Sequence, residues 1–282
     1  MKTHAIKFGL LFTSSLFISS LVMAGQMDAI PTCYNAKITA PNVNVATELF
    51  VIIDQTTPFN SGLKQSVADN VRPFLQPNQA FSVTQFSAFT QGHYTDVLVS
   101  GKLDATLAQK QRDDISKTIL AKYDQCMAMQ TKQAPRLLGG TMKTAFSTGN
   151  NDIAKSDVLA SLKDISSKVK QSTADRKIVL IASDMLENSS LTSFYAKQTV
   201  RQINPEKELK LVADNQMFGD FGGAKVYVIG AGLLAEDAKR AKGVYRSPQT
   251  MQALATFWKA WFQKSNAEVV EFGQPALLNP VH

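Results

Sequence analysis

Leu49-Phe50-Val51-Ile52-Ile53-Asp54-Gln55-Thr56-Thr57-Pro58 is the stretch from which the rest of this 282-residue chain is read. An unbroken apolar run fits a strand buried on both faces, as parallel sheets require. The run stops at a carboxylate followed by two hydroxyls. Lys177-Ile178-Val179-Leu180-Ile181-Ala182-Ser183 repeats the pattern and ends in Asp184, and Lys225-Val226-Tyr227-Val228-Ile229 ends in Gly230. Between these runs the apolar period changes to that of helices. Leu63, Val67, Val71 and Leu75 mark a helix over 62–75, and Ile115, Ile119, Tyr123 and Cys126 mark another over 113–130. Further helices are expected after Gly139-Gly140-Thr141, over 156–170, over 191–203 and over 205–216. Ser247-Pro248 supplies an N-cap and a first-turn proline for a helix reaching Lys264.

Two segments read differently. Phe81 to Phe86 alternates apolar and polar, and Tyr94 to Val99 follows across a short loop containing Gly92, so these pair as a hairpin. Val269 to Phe272 gives a last strand. The pattern predicts an α/β fold: a doubly wound, mostly parallel central sheet with helices on both faces and one antiparallel edge hairpin. Ligands of such sheets collect beyond the carboxyl ends of the strands. Asp54 and Asp184 both fall there.

The first 24 residues read as a signal peptide. Lys2 and Lys7 precede an apolar segment, Phe8 to Val22, which is diluted by serines and followed by Val22-Met23-Ala24. The segment is short and polar for a membrane span, and no later segment is long enough to be one. A periplasmic or secreted protein without stable membrane insertion is expected. Residues 25–47 then form an N-terminal extension, 48–273 the domain, and 274–282 a proline-bearing tail. Lysines and arginines number 30 against 23 acids, and they are scattered rather than interleaved with aromatics. That excludes the usual nucleic-acid footprint. Cys33 and Cys126 are the only cysteines, and in an oxidising compartment an even pair predicts a disulfide.

Around Asp54 the chain resembles the von Willebrand factor A-like family. That family carries an Asp-x-Ser-x-Ser run after its first strand, a threonine from a second loop and an aspartate after its fourth strand. Asp54 and Thr56 match the first element, while Pro58 stands where a hydroxyl belongs. Gly140-Thr141 and Ser183-Asp184-Met185 supply the others, with methionine in place of a glycine. The resemblance implies that Asp54, Thr56, Thr141 and Asp184 hold Mg²⁺ or Mn²⁺ and through it a protein partner. Carboxylate and hydroxyl oxygens suit such hard cations. Pro58, without a side-chain oxygen, leaves the metal in question. Thr57 and Ser61 are the residues nearest to hand as replacements. Without a metal, the two aspartates would instead cap neighbouring loops by accepting backbone N–H bonds.

Catalysis is not expected. His93 is the one internal histidine after residue 24 and sits in the hairpin turn, and no Gly-x-Ser-x-Gly elbow is present. Metal-assisted hydrolysis at the same aspartates is the alternative, and a structural role in an envelope or secretion apparatus is a third. Gly230-Ala231-Gly232 and Gly219-Asp220-Phe221-Gly222-Gly223 read as turns, with Asp220 a secondary ligand candidate. Met251, Leu254, Trp258 and Trp261 form a face that packs on the sheet; with Phe257 and Phe262 beside it the aromatics exceed what one stripe buries, so the surplus is expected to meet a partner. Leu186 to Ser190 is expected to be an exposed rim loop.

Overall fold

The computed structural model describes residues 27–90, 93–147, 156–196, 199–234 and 246–282. The expected signal peptide lies outside them. Strands β1 (Thr47–Asp54), β2 (Gln79–Thr90), β3 (His93–Lys102), β4 (Arg176–Ala182), β7 (Ala224–Ile229) and β8 (Ala267–Phe272) form one sheet in the order β3-β2-β1-β4-β7-β8. All neighbours are parallel except the β2–β3 hairpin at the edge. The mostly parallel α/β architecture is therefore the one the apolar runs predict.

Alternate side chains of each strand feed two cores. Phe50, Ile52, Val179, Ile181, Val226 and Val228 face one layer, built from α4 (Val158–Gln171), α5 (Pro205–Asp214) and α6 (Pro248–Lys264). Leu49, Val51, Ile53, Leu180, Tyr227 and Ile229 face the other, under α1 (Ser61–Val71) and α3 (Lys117–Ser147). A short α2 (Gln109–Asp113) precedes α3. Helix α1 starts where the Asn60 side chain accepts from the Leu63 N–H at 2.9 Å. It stops at Val71 rather than at 75, because Pro73 has no N–H to continue the i→i−4 bonding and the chain tightens into a 3₁₀ turn over Arg72–Phe74.

Two expectations are corrected. The predicted break at Gly139-Gly140-Thr141 does not exist: α3 runs unbroken from 117 to 147, through Pro135 and both glycines. Proline and glycine in a helix interior cost about 3 and 1 kcal/mol. Burial of Tyr123, Gln130, Ala134, Leu138, Met142 and Ala145 along one seam outweighs them. The described residues of 191–203 are not helical either. Tyr195–Ala196 (β5) and Thr199–Val200 (β6) make a small antiparallel pair. Phe194 anchors it, buried edge-on against Phe257 at 5.0 Å.

The aromatic cluster of α6 meets the protein itself. Phe257, Trp258, Trp261 and Phe262 are fully buried. The two indole N–H groups donate to the carbonyls of Met185 at 2.8 Å and Met217 at 3.0 Å. No aromatic surface is left on that helix for a partner. The tail also returns to the domain: the Pro275 carbonyl accepts from Gly230 N, Val281 is buried with its N–H on Asn70, and the Tyr227 hydroxyl donates to the His282 carbonyl at 3.0 Å.

Before β1 the chain is tied to α3. Cys33 and Cys126 form a disulfide. The buried Asp104 carboxylate beside it accepts from Thr32, from Cys33 N and from Gln130. Tyr34 stacks on Tyr123 with centroids 6.2 Å apart. Among the described residues no helix is long and apolar enough to cross a membrane. The bridge closes a 93-residue separation, for which chain entropy predicts about 4 kcal/mol. Urea unfolding of a Cys33→Ser/Cys126→Ser variant should show a loss of about that size; an unchanged midpoint would mean the Asp104 contacts alone hold this segment.

Candidate functional site

Parallel pairing of β1 with β4 in register Ile53↔Ala182 brings the residues after each strand side by side. Asp54, Thr56 and Thr57 then face Ser183 and Asp184. The Asp54 carboxylate accepts at Oδ1 from Thr56 N at 2.9 Å and from the Thr56 hydroxyl at 2.6 Å. Its Oδ2 accepts from the Ser183 hydroxyl at 2.7 Å. Asp184 turns its backbone N–H to the Thr57 hydroxyl at 2.9 Å. Its carboxylate accepts from Leu186 N at Oδ1 and from the Tyr195 hydroxyl at Oδ2, each at 2.8 Å. Both aspartates are 1% exposed.

The chain turns sharply here. Met185 takes a left-handed φ of 57°, an unfavourable conformation for a residue with a side chain. The Ser183 hydroxyl accepts the Met185 N–H, and Trp258 holds the Met185 carbonyl. Gly230 after β7 has φ 106°, and a Cβ there would lie 2.6 Å from Phe59 and 2.9 Å from the Ser183 carbonyl. Only glycine lets β7 end so close to the other two strands. Gly232 then donates to the Asp184 carbonyl at 2.8 Å, binding a third loop to the cluster.

Among the described residues no lysine or arginine enters this hydrogen-bond network. Burial raises Asp54 above the ordinary carboxylate range against the opposing pull of its hydroxyl and N–H donors. Asp184 is pushed well up, by burial first and then by the Asp54 charge. Burial and the neighbouring Asp184 raise the Tyr195 phenol in turn. The cluster is thus an acidic pair held by neutral donors.

Of the four expected ligands, Asp54, Thr56 and Asp184 come together. Thr141 does not join them by any hydrogen bond. It sits inside α3, half-exposed, instead of on a loop. Thr57 supplies the hydroxyl nearest in role to the one Pro58 lacks, whereas Ser61 is exposed in the first turn of α1. Among the described residues no group of three or more His, Cys, Asp or Glu side chains is placed to hold a metal ion. Asp220 lies before β7, at the opposite edge. Its ion pair with Lys170 at 2.6 Å draws it down to about 2. The His93 side chain lies outside the described residues.

The sequence reading missed Tyr195 and Glu187. The sequence pattern places Tyr195 in a helix, which hides its reach back to Asp184. Leu186 and Glu187 were assigned to an exposed rim, but both are fully buried. The Glu187 carboxylate accepts from Leu159 N at 2.8 Å, in the first turn of α4, where helix N–H groups lack internal partners. Comparison with protein-family models and with curated protein sequences returns no match for this chain.

Glu187 sets a pH dependence. Burial, with the Asp157 charge adding to it, pushes the Glu187 carboxyl up to about 8 from 4.5. The folded chain holds a proton there that the unfolded chain releases. The stability this adds is complete below pH 4.5 and is lost as pH rises towards 8. Across that window the folded-to-unfolded ratio should fall by up to about tenfold per pH unit. Denaturant midpoints measured from pH 5 to 8 should decline, and Glu187→Gln should flatten the decline.

Proposed function

We propose that this chain is an exported, non-catalytic binding module of the von Willebrand factor A-like type. It engages a protein partner through the loops at the carboxyl edge of its sheet, and does so without a metal ion. One observation carries the reading: every carboxylate oxygen of Asp54 and Asp184 accepts from a donor of the protein itself. Those bonds clamp the loops after β1 and β4 into one platform, which Gly232 N joins from the loop after β7. The exposed side chains around it, Asn60 after β1 and Ser190 after β4, belong to loops whose bases cannot shift independently. A rigid base under short polar loops lowers the ordering cost of binding.

A Mg²⁺ or Mn²⁺ site would draw its oxygens from Asp54, Thr56, Thr141 and Asp184. Their chemistry suits a hard cation, but two arguments weigh against occupancy. The carboxylates already serve as caps for Thr56 N and Leu186 N, and the Thr141 hydroxyl is held within α3.

Thermal unfolding in EDTA, then with Mg²⁺ or Mn²⁺, tests the metal-free reading. A cation at about 100 times its Kd would add about 2.7 kcal/mol, a rise of about 5–10 °C for a domain of this size. The expected result is no rise. A rise that vanishes in Asp54→Ala would replace this reading with a cation-dependent one. For the partner, a photo-crosslinking residue at Ser190 should capture a discrete protein adduct in the source cells. The same residue at the exposed Thr173, before β4 at the opposite edge, should not. Equal capture at both positions would remove the carboxyl edge as the binding surface.

A further inference from the structure

Helix α3 carries a second surface, remote in character from the acidic pair. Its buried seam faces the sheet, and its outward face gathers Lys122, Lys132, Arg136 and Lys143, all exposed. At 100° per residue these four lie within a quarter-turn of one another, spread along about 32 Å of helix. Asp124 is the one acid between 117 and 147, and it is bound bidentately by Arg112 on α2. Among the described residues no ion pair reaches any of the four cations. In the sequence they are dispersed among neutral residues. The uninterrupted helix aligns them.

The same face holds Gly139 and Gly140. A Cβ built on either would meet nothing within 4 Å, and neither has a left-handed φ. Neither the packing nor the backbone geometry of the fold requires glycine there, although glycine is among the poorest helix formers. What paired exposed glycines provide is a stretch of bare backbone against which another chain can lie closely. No aromatic or large aliphatic side chain accompanies the cations on that face; Met129, 54% exposed, is the one sizeable apolar group. A membrane surface offers nothing that uses the glycine pair, and insertion into one would call for apolar anchors.

We propose that the outward face of α3 docks an acidic helix of a partner protein, crossing at Gly139-Gly140. Carboxylates of that helix pair with Lys132 and Arg136 on one side of the crossing and Lys143 on the other. None of these cations belongs to a carboxyl-edge loop, although the end of α3 reaches that edge where Phe146 meets Phe59 at 5.4 Å. The partner's identifying chemistry is a helix with acids spaced along one face and small residues at its centre, complementary to the cation row.

The test uses the full chain with its disulfide intact and a fluorescent alanine-based helical peptide bearing glutamates at i, i+4 spacing. Binding is followed by anisotropy at about 10 mM salt, where charges act over about 30 Å. Vesicles containing anionic phospholipid and a DNA duplex serve as parallel probes. The expected result is saturable peptide binding that weakens at least tenfold in Lys132→Glu/Arg136→Glu/Lys143→Glu. Binding should weaken comparably in Gly139→Leu/Gly140→Leu, whose unfolding temperature should not fall because leucine favours helix. A Lys207→Glu/Lys259→Glu variant, with the same kind of charge reversal on the exposed faces of α5 and α6, should bind as the parent does. Three results would overturn the proposal: no peptide binding, peptide binding indifferent to the leucine pair, or tighter binding to vesicles or DNA than to the peptide.

Discussion

The bond from the Ser183 hydroxyl to Asp54, at 2.7 Å, joins the ends of the two central strands. Much of this molecule's upper edge depends on it. Asp54 is buried and, among the described residues, has no cationic partner, so its position depends on the neutral donors around it. Ser183 supplies one of them, and its hydroxyl can reach only because β1 and β4 pair in parallel register. The same register sets Thr57 against Asp184 N and so fixes the left-handed turn at Met185. The Met185 carbonyl then receives the Trp258 indole, which draws α6 onto the sheet. A single carboxylate thereby couples sheet register, loop geometry and the seating of a helix.

How much of this could be read in the sequence depended on where each decision is made. Strands β1, β4 and β7 are fixed by local composition, since unbroken apolar runs have few alternatives in a protein of this size. Helix α6 is equally local, with Ser247 and Pro248 at its start and a continuous buried face. Asp54 and Asp184 were legible as a pair because each ends such a strand. Helix α3 was not legible as one element. Pro135, Gly139 and Gly140 are genuine local arguments against it, and only contact with the sheet overrides them. Tyr195 lay hidden for the opposite reason: 191–203 has acceptable helical spacing, but Phe194 finds its place against Phe257 and pulls the segment into a hairpin. Glu187 had no sequence signal at all. A glutamate among serines and asparagine reads as surface, and its burial follows from the position of the α4 N-terminus.

The two proposed surfaces differ in how they are built. At the carboxyl edge the charges are buried, mutually engaged and set among short polar loops, so any recognition there falls to what surrounds them. On α3 the charges are exposed and of one sign, carried on a stiff rod. The first arrangement favours a partner selected by shape, the second a partner selected by charge.

The register that seats Ser183 against Asp54 spans 129 positions of sequence, and this has a kinetic consequence. The central pairing of the sheet is a contact of high contact order, so loop-closure entropy must be met before the first parallel bonds offset it. The disulfide shortens that search, because it fastens the segment before β1 to α3, which lies most of the way to β4. An oxidising compartment would then act on this protein as a folding accelerator as well as a source of stability. A chain oxidised early begins its search for the β1–β4 pairing with the distant ends already drawn together.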